Sequence, residues 1–143
     1  HALALHIRYT APTLLFQTYP KAWTDFYSQK GMVLNDPTIR WAFANTGTCD
    51  WAALRADDTH GMFAAASRHG LVHGFAVSLL SGTSRSIGGF ARADRPFETA
   101  EVKRIEAIVQ TLHTATQDMS LPAEHRAALR HLSVTATRGD LPG

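Results

Sequence analysis

Tyr19, Trp23 and Tyr27 follow one another at intervals of four residues, Asp36 comes next in the chain, and Trp51 lies fifteen residues beyond it. Each of these aromatic rings combines a large apolar body with one hydroxyl or indole N–H that needs a partner when buried. A face of this kind suits a ligand that joins hydrocarbon to carbonyl oxygens, and a carboxylate beside it would accept an N–H from the same molecule. Spacing alone does not select that role, because rings at helical intervals most often pack as ordinary core. Asp36 also stands directly before Pro37, as a helix cap does. The two uses of the carboxylate are compatible, since one oxygen can cap while the other accepts from a ligand.

Other chemistry finds little purchase in the sequence. It contains no Gly-x-Ser-x-Gly elbow, no His-Glu-x-x-His pair and no acid-rich cluster. His69 and His73 are four apart, but Gly70 between them breaks a helix, so they do not form a one-face metal pair. His125 and His131 are six apart and fall on nearly opposite faces of a helix. Gly82, Gly88 and Gly89 lack the spacing of a phosphate loop and read as turn and bulge glycines. Neither a metal nor a cofactor is expected. Cys49 is the only cysteine, which excludes an internal disulfide and fits a reducing compartment. The net charge is +2, with Lys and Arg scattered singly and no basic stripe of the kind that nucleic-acid binding requires. No apolar run approaches the ~20 residues of a membrane span, and the opening His1-Ala2-Leu3 lacks signal-peptide grammar. The expectation is a cytoplasmic protein with no membrane partner.

The elements that must hold the aromatic row can be read from turn and cap signals. With 143 residues, 45% hydrophobic and 18% charged, the chain has the material for one core. Residues 5–9 and 13–18 read as strands on either side of Pro12. A short aromatic helix starts at Tyr19-Pro20 and stops at Gly31, and a second starts at Asp36-Pro37. A third runs through Met62, Phe63 and Ala66 to Gly70, with Leu71 placed for the apolar contact of that cap. Residues 71–80 and 86–91 form a hairpin around Ser81-Gly82-Thr83-Ser84. Val102, Ile105, Ile108, Val109 and Leu112 mark a long amphipathic helix over 99–117, opened by Thr99 and Glu101. A further helix is predicted over 122–132, before a frayed tail at 137–143. Hairpin strands with helices before, between and after them predict an α+β domain. Its expected form is an α/β/α sandwich with a central antiparallel sheet of about five strands.

Taken in order, Tyr19-Pro20-Lys21-Ala22-Trp23, Tyr27, Asp36-Pro37-Thr38, Trp51 and Gly70-Leu71-Val72-His73-Gly74-Phe75 resemble the autoinducer-binding domain of LuxR-type quorum-sensing regulators. The likeness runs over residues 9–117 and rests on the ordered set, not on any single motif. It implies an N-acyl-homoserine lactone held between the sheet and one helical layer. By that resemblance Trp23 donates its indole N–H to the lactone carbonyl, Asp36 accepts from the ligand amide, and Tyr19 bonds the acyl carbonyl. Tyr27 and Trp51 wall the pocket, and Thr38 lies near the amide. The resemblance also implies a non-enzymatic sensor that pairs, as a homodimer or with related regulators, through the helix over 99–117.

The sequence departs from that pattern in three places. Ala91 stands about where many members carry a Ser or Thr facing the acyl carbonyl. No helices precede the first strand. Residues 121–133 look like the first helix of the family's helix-turn-helix domain, with no recognition helix following, so DNA would be read only through a domain outside this chain. The expected division is a sensor domain at 1–118 and a linker with a partial helix-turn-helix at 119–143. Three alternatives stand beside the lactone sensor. They are a ligand-independent pairing module, a sensor for another small molecule, and a lactone hydrolase built on Asp36 and a histidine.

Overall fold

The computed structural model describes residues 1–8, 11–117, 124, 127 and 128. Its centre is one antiparallel sheet built from β1 (Ala2–Arg8), β2 (Ala11–Gln17), β3 (Gly47–Asp50), β4 (His73–Ser81) and β5 (Ser84–Arg92), in the order β2-β1-β5-β4-β3. Helices α1 (Lys21–Gln29), α2 (Pro37–Ala44), α3 (Trp51–Leu54) and α4 (Met62–Arg68) cover one face, and α5 (Thr99–Thr116) covers the other. This is the α/β/α sandwich expected from the sequence. The helix predicted over 122–132 and the tail at 137–143 lie outside the described residues, apart from Glu124, Ala127 and Ala128, which are helical.

Strand side chains alternate between the two faces, so each strand contributes to two separate cores. Leu3, Leu5, Leu14, Phe75 and Val77 pack beneath Val109 of α5. On the opposite side Trp23, Trp51, Leu54, Met62 and Phe63 form a second cluster with Met32 from a short 3-10 turn at Met32–Asn35. The hairpin of β4 and β5 closes with Ser81 opposite Ser84, and Gly82 takes the left-handed φ of +58° that the turn needs.

Local signals account for most helix ends. Asp36 caps α2 through the Thr38 N–H at 2.8 Å, with Pro37 in the first turn. Gly70, at φ +81°, ends α4, with Gly70 N–H on the Ser67 carbonyl and Leu71 N–H on the Ala66 carbonyl. That is the paired bonding of a Schellman stop, and Leu71 is buried beside it. The long helix begins at Thr99 as expected, with Glu98 as its cap, and Glu98 and Glu101 exchange side-chain-to-backbone bonds.

Four features differ from the sequence expectation. Strand β1 starts at Ala2 instead of residue 5, and β5 starts at Ser84 instead of 86, because pairing with neighbouring strands extends both. Gly47-Thr48-Cys49-Asp50 shows no apolar alternation, yet it forms edge strand β3 because β4 offers it a free row of backbone groups. The single turn of α3 follows, capped by Asp50 on the Ala52 N–H at 2.7 Å. Tyr19 precedes α1 and is not on the helix.

The fourth difference is a bulge in β1. Pairing with β5 shifts register between Ala4 and Ile7, and His6 adopts φ +53°, a left-handed conformation uncommon for a residue with a side chain. As a result Leu5 and His6 both turn toward α5, while Ile7 returns to the opposite face.

Candidate functional site

A cavity of about 330 Å³ lies between the sheet and the layer of α1, α2 and α3. Its walls include all six residues singled out in the sequence: Tyr19, Trp23, Tyr27, Asp36, Thr38 and Trp51. Although Tyr19 sits in the link between β2 and α1, it reaches the same space as Trp23 and Tyr27, which project from successive turns of α1. The Trp23 ring is buried and meets Tyr27 at a centroid distance of 5.7 Å.

Asp36 organises the polar end. It is only 7% exposed, and its Oδ2 accepts from the Tyr27 hydroxyl at 2.7 Å. Its Oδ1 accepts from both the backbone N–H and the hydroxyl of Thr38, at 2.8 and 2.6 Å. One carboxylate therefore both caps α2 and lines the cavity, and Thr38 faces it. Burial, reinforced by the Asp36 charge, pushes the Tyr27 and Tyr19 hydroxyls well above the ordinary phenol range. Both stay protonated donors at neutral pH. Tyr27 spends its proton on Asp36. The Tyr19 hydroxyl and the Trp23 indole N–H have no protein partner among the described residues.

The rest of the cavity is apolar and contains positions that the sequence did not single out. Ala2, Ala4 and Ile7 of β1 and Gly89 of β5 form a floor of mostly small residues. A Cβ at Gly89 would stand 3.3 Å from the Tyr19 hydroxyl, so glycine there leaves that hydroxyl its room. Ile39, Phe43 and Val33 complete the helical side, and the last two are about half exposed at the mouth. Period-two alternation could have indicated Ala2 and Ala4. Ile7 was hidden, because the bulge at His6 reverses its facing. Ala91 packs against the aromatic cluster.

Two further groups hold the helical wall in place. Ser78, fully buried in β4, donates to the Ala42 carbonyl at 2.6 Å. Arg85 Nη1 reaches the carbonyls of Ala42 and Asn45 and the Ser78 hydroxyl at 2.6 to 2.7 Å. Together they satisfy carbonyls left open at the end of α2 and tie that helix to the sheet. No histidine lines the cavity, and no group of three or more metal-ligating side chains occurs among the described residues.

A cavity with one polar end, lying between a sheet and a helical layer, has the form of a site for a small amphipathic molecule. The chain belongs to the autoinducer binding domain family of LuxR-type regulators, whose model matches residues 6–118. The transcriptional activator protein SolR of Ralstonia nicotianae is 27% identical over 111 residues, which are 76% of this chain and 46% of SolR. The chain thus spans just under half of that relative's length. Among solved structures, the N-acylhomoserine-lactone-dependent LuxR-family factor CepR2 of Burkholderia cenocepacia superposes with a TM-score of 0.61 at 19% identity, covering 81% of this chain and 71% of CepR2. SdiA in complex with octanoyl-rac-glycerol superposes at 0.55 and 19% identity, covering 98% of this chain and 63% of SdiA. Those likenesses establish the fold. SolR is a transcriptional activator and CepR2 a transcription factor. No described helix is long and apolar enough to cross a membrane.

Proposed function

We propose that this chain is the sensing part of a quorum-sensing transcriptional regulator and that its cavity binds an N-acyl-homoserine lactone. The observation that carries this reading is the sorting of polar groups at one end of the cavity. A buried carboxylate with remaining acceptor capacity stands beside two donors, the Tyr19 hydroxyl and the Trp23 indole N–H, that no described protein group uses. An acylated amino lactone matches this set. Its amide N–H meets Asp36, its acyl carbonyl meets Tyr19, its lactone carbonyl meets Trp23, and its hydrocarbon tail lies over Ala2, Ala4 and Ile7. Tyr27 acts by holding Asp36, and Thr38 by orienting the same carboxylate. Trp51 walls the head end.

A molecule bound only by the folded state stabilises it by roughly 2.7 kcal/mol at a hundredfold excess over its dissociation constant. The test is thermal unfolding with a series of acyl-homoserine lactones of increasing tail length, with Trp23→Phe as control. The expected result is a length-dependent rise in the midpoint that is reduced in the variant. A well-folded protein whose midpoint no lactone moves would refute the reading.

A second reading draws on SdiA, whose structure holds octanoyl-rac-glycerol. A monoacylglycerol offers hydroxyl donors to Asp36 and an ester carbonyl to Tyr19, so it belongs in the same series. A larger rise with it than with any lactone would favour it. In either case residues 1–118 form the sensor, α5 serves pairing with a second subunit through a face that includes the half-exposed Ile108, and DNA is read by a domain outside this chain.

A further inference from the structure

A second recess, of about 300 Å³, lies between the end of α1, the 3-10 turn at Met32–Asn35 and α4, and it shares no lining residue with the cavity. Helical period explains the separation. Trp23 and Tyr27 stand four apart on the cavity side of α1, while Phe26 and Lys30, also four apart, stand on the recess side. The 3-10 turn divides its side chains at intervals of three: Met32 and Asn35 line the recess, Val33 and Asp36 the cavity. One layer of chain therefore has a space on each side.

The charge of the recess is opposite in sign to that of the cavity. Phe26 and the buried Met32 and Ala65 give it an apolar base. Lys30 and Arg68 are exposed at its rim, with His60 and the Asn35 amide beside them, and no acidic residue lines it. Three carboxylates that are near in sequence are committed elsewhere. Asp36 turns to the cavity, Asp58 accepts from the Met62 and Phe63 N–H groups at 2.9 Å, and Asp25 pairs with Lys21. Neither Lys30 nor Arg68 has an ion-pair partner among the described residues. Two cations at one rim without a counter-charge attract an anion, and their aliphatic stems extend the apolar base toward it. We propose that this recess is a second ligand site, distinct from the cavity, for a small amphipathic anion whose acid group meets Lys30 and Arg68 and whose apolar body lies on Phe26 and Met32. The two spaces have separate linings, so the recess does not depend on what fills the cavity.

The probes are octanoate and octyl phosphate, with octanamide as an uncharged compound of similar tail. Titrations of the whole chain are followed by the methionine ¹³C-methyl signals, because Met32 lines the recess and Met62 lines the cavity. Met32→Leu and Met62→Leu assign the two signals. Octanoate or octyl phosphate should move the Met32 signal more than the Met62 signal, and the tighter of the two identifies the acid group preferred. Lys30→Gln and Arg68→Gln alter exposed side chains at helix ends and should melt as wild type does. Each is expected to weaken the acid roughly threefold, the scale of a partly exposed ion pair, and to leave octanamide unchanged. Octanamide, which lacks both pairs, should bind wild type roughly tenfold more weakly than the acid. An unmoved Met32 signal with both acids, a shift confined to Met62, equal affinity for octanamide, or an acid affinity unchanged in both charge variants overturns the second site.

Discussion

The two faces of the sheet are built from the same five strands and treat polar groups in opposite ways. Beneath α5 the apolar residues of β1, β2 and β4 close on Val109, and the two buried histidines there are bonded by hydroxyls. His6 Nδ1 meets Ser84 at 2.6 Å and Nε2 meets Thr116 at 2.8 Å, while His113 meets Ser86 at 2.6 Å and Ser81 at 3.0 Å. The rings stack with centroids 4.6 Å apart. On the cavity face, Tyr19, Trp23 and Trp51 carry donors that no described protein group uses. The difference separates two purposes. Polar groups satisfied within the chain define one packing of α5 on the sheet, and polar groups left over are available to the ligand that we propose for the cavity.

The contrast is broken most strongly by truncating one side chain on each face of β1. Leu5→Ala, at a fully buried position under α5, is expected to cost about 2–5 kcal/mol of unfolding free energy in urea, whereas Ile7→Ala on the cavity wall costs less than half as much without ligand. Equal losses would mean that the cavity face is packed like the other. Asp36→Ala comes next, at about 2–3 kcal/mol. It removes the cap of α2 and strands the Tyr27 hydroxyl and the Thr38 donors, so the same denaturation should register it even before ligand is added. A loss no larger than an ordinary surface substitution would show that the carboxylate is dispensable to the fold.

The smallest effect concerns pH. Burial, and then the neighbouring His6, hold the His113 imidazole below its usual value of 6.5. The unfolded chain therefore binds a proton more readily, and stability that is complete above about pH 6.5 declines as the pH falls through the lowered value. Melting midpoints measured from pH 8 to pH 5 should drop in wild type and drop less in His113→Gln. Parallel curves for the two proteins would mean that His113 titrates alike in both states.

Legibility in the sequence followed the range of the interactions. Caps and stops were readable because a few adjacent residues decide them: Asp36-Pro37 at α2, Gly70-Leu71 after α4, Ser81 to Ser84 at the hairpin. The aromatic row and Asp36 were readable as residue types, and the family pattern tied them together. Spacing alone could not say that Tyr19 leaves the helix and still meets Trp23 and Tyr27 in one cavity. Edge strand β3 was invisible because its pairing energy comes from β4, more than twenty residues away, and not from its own side chains.

What the sequence determined by itself is the order of elements, their caps, and the set of amphipathic side chains. What tertiary structure alone decided is which of them face each other. The bulge at His6 reverses the side to which Ile7 points, and the Thr116 hydroxyl that bonds His6 lies 110 positions away. The contact of Trp51 with Gly74 exists only once α3 is laid on β4. Such pairings cost chain entropy to bring together and are selected by the packing of the whole core, so no local window of residues contains them.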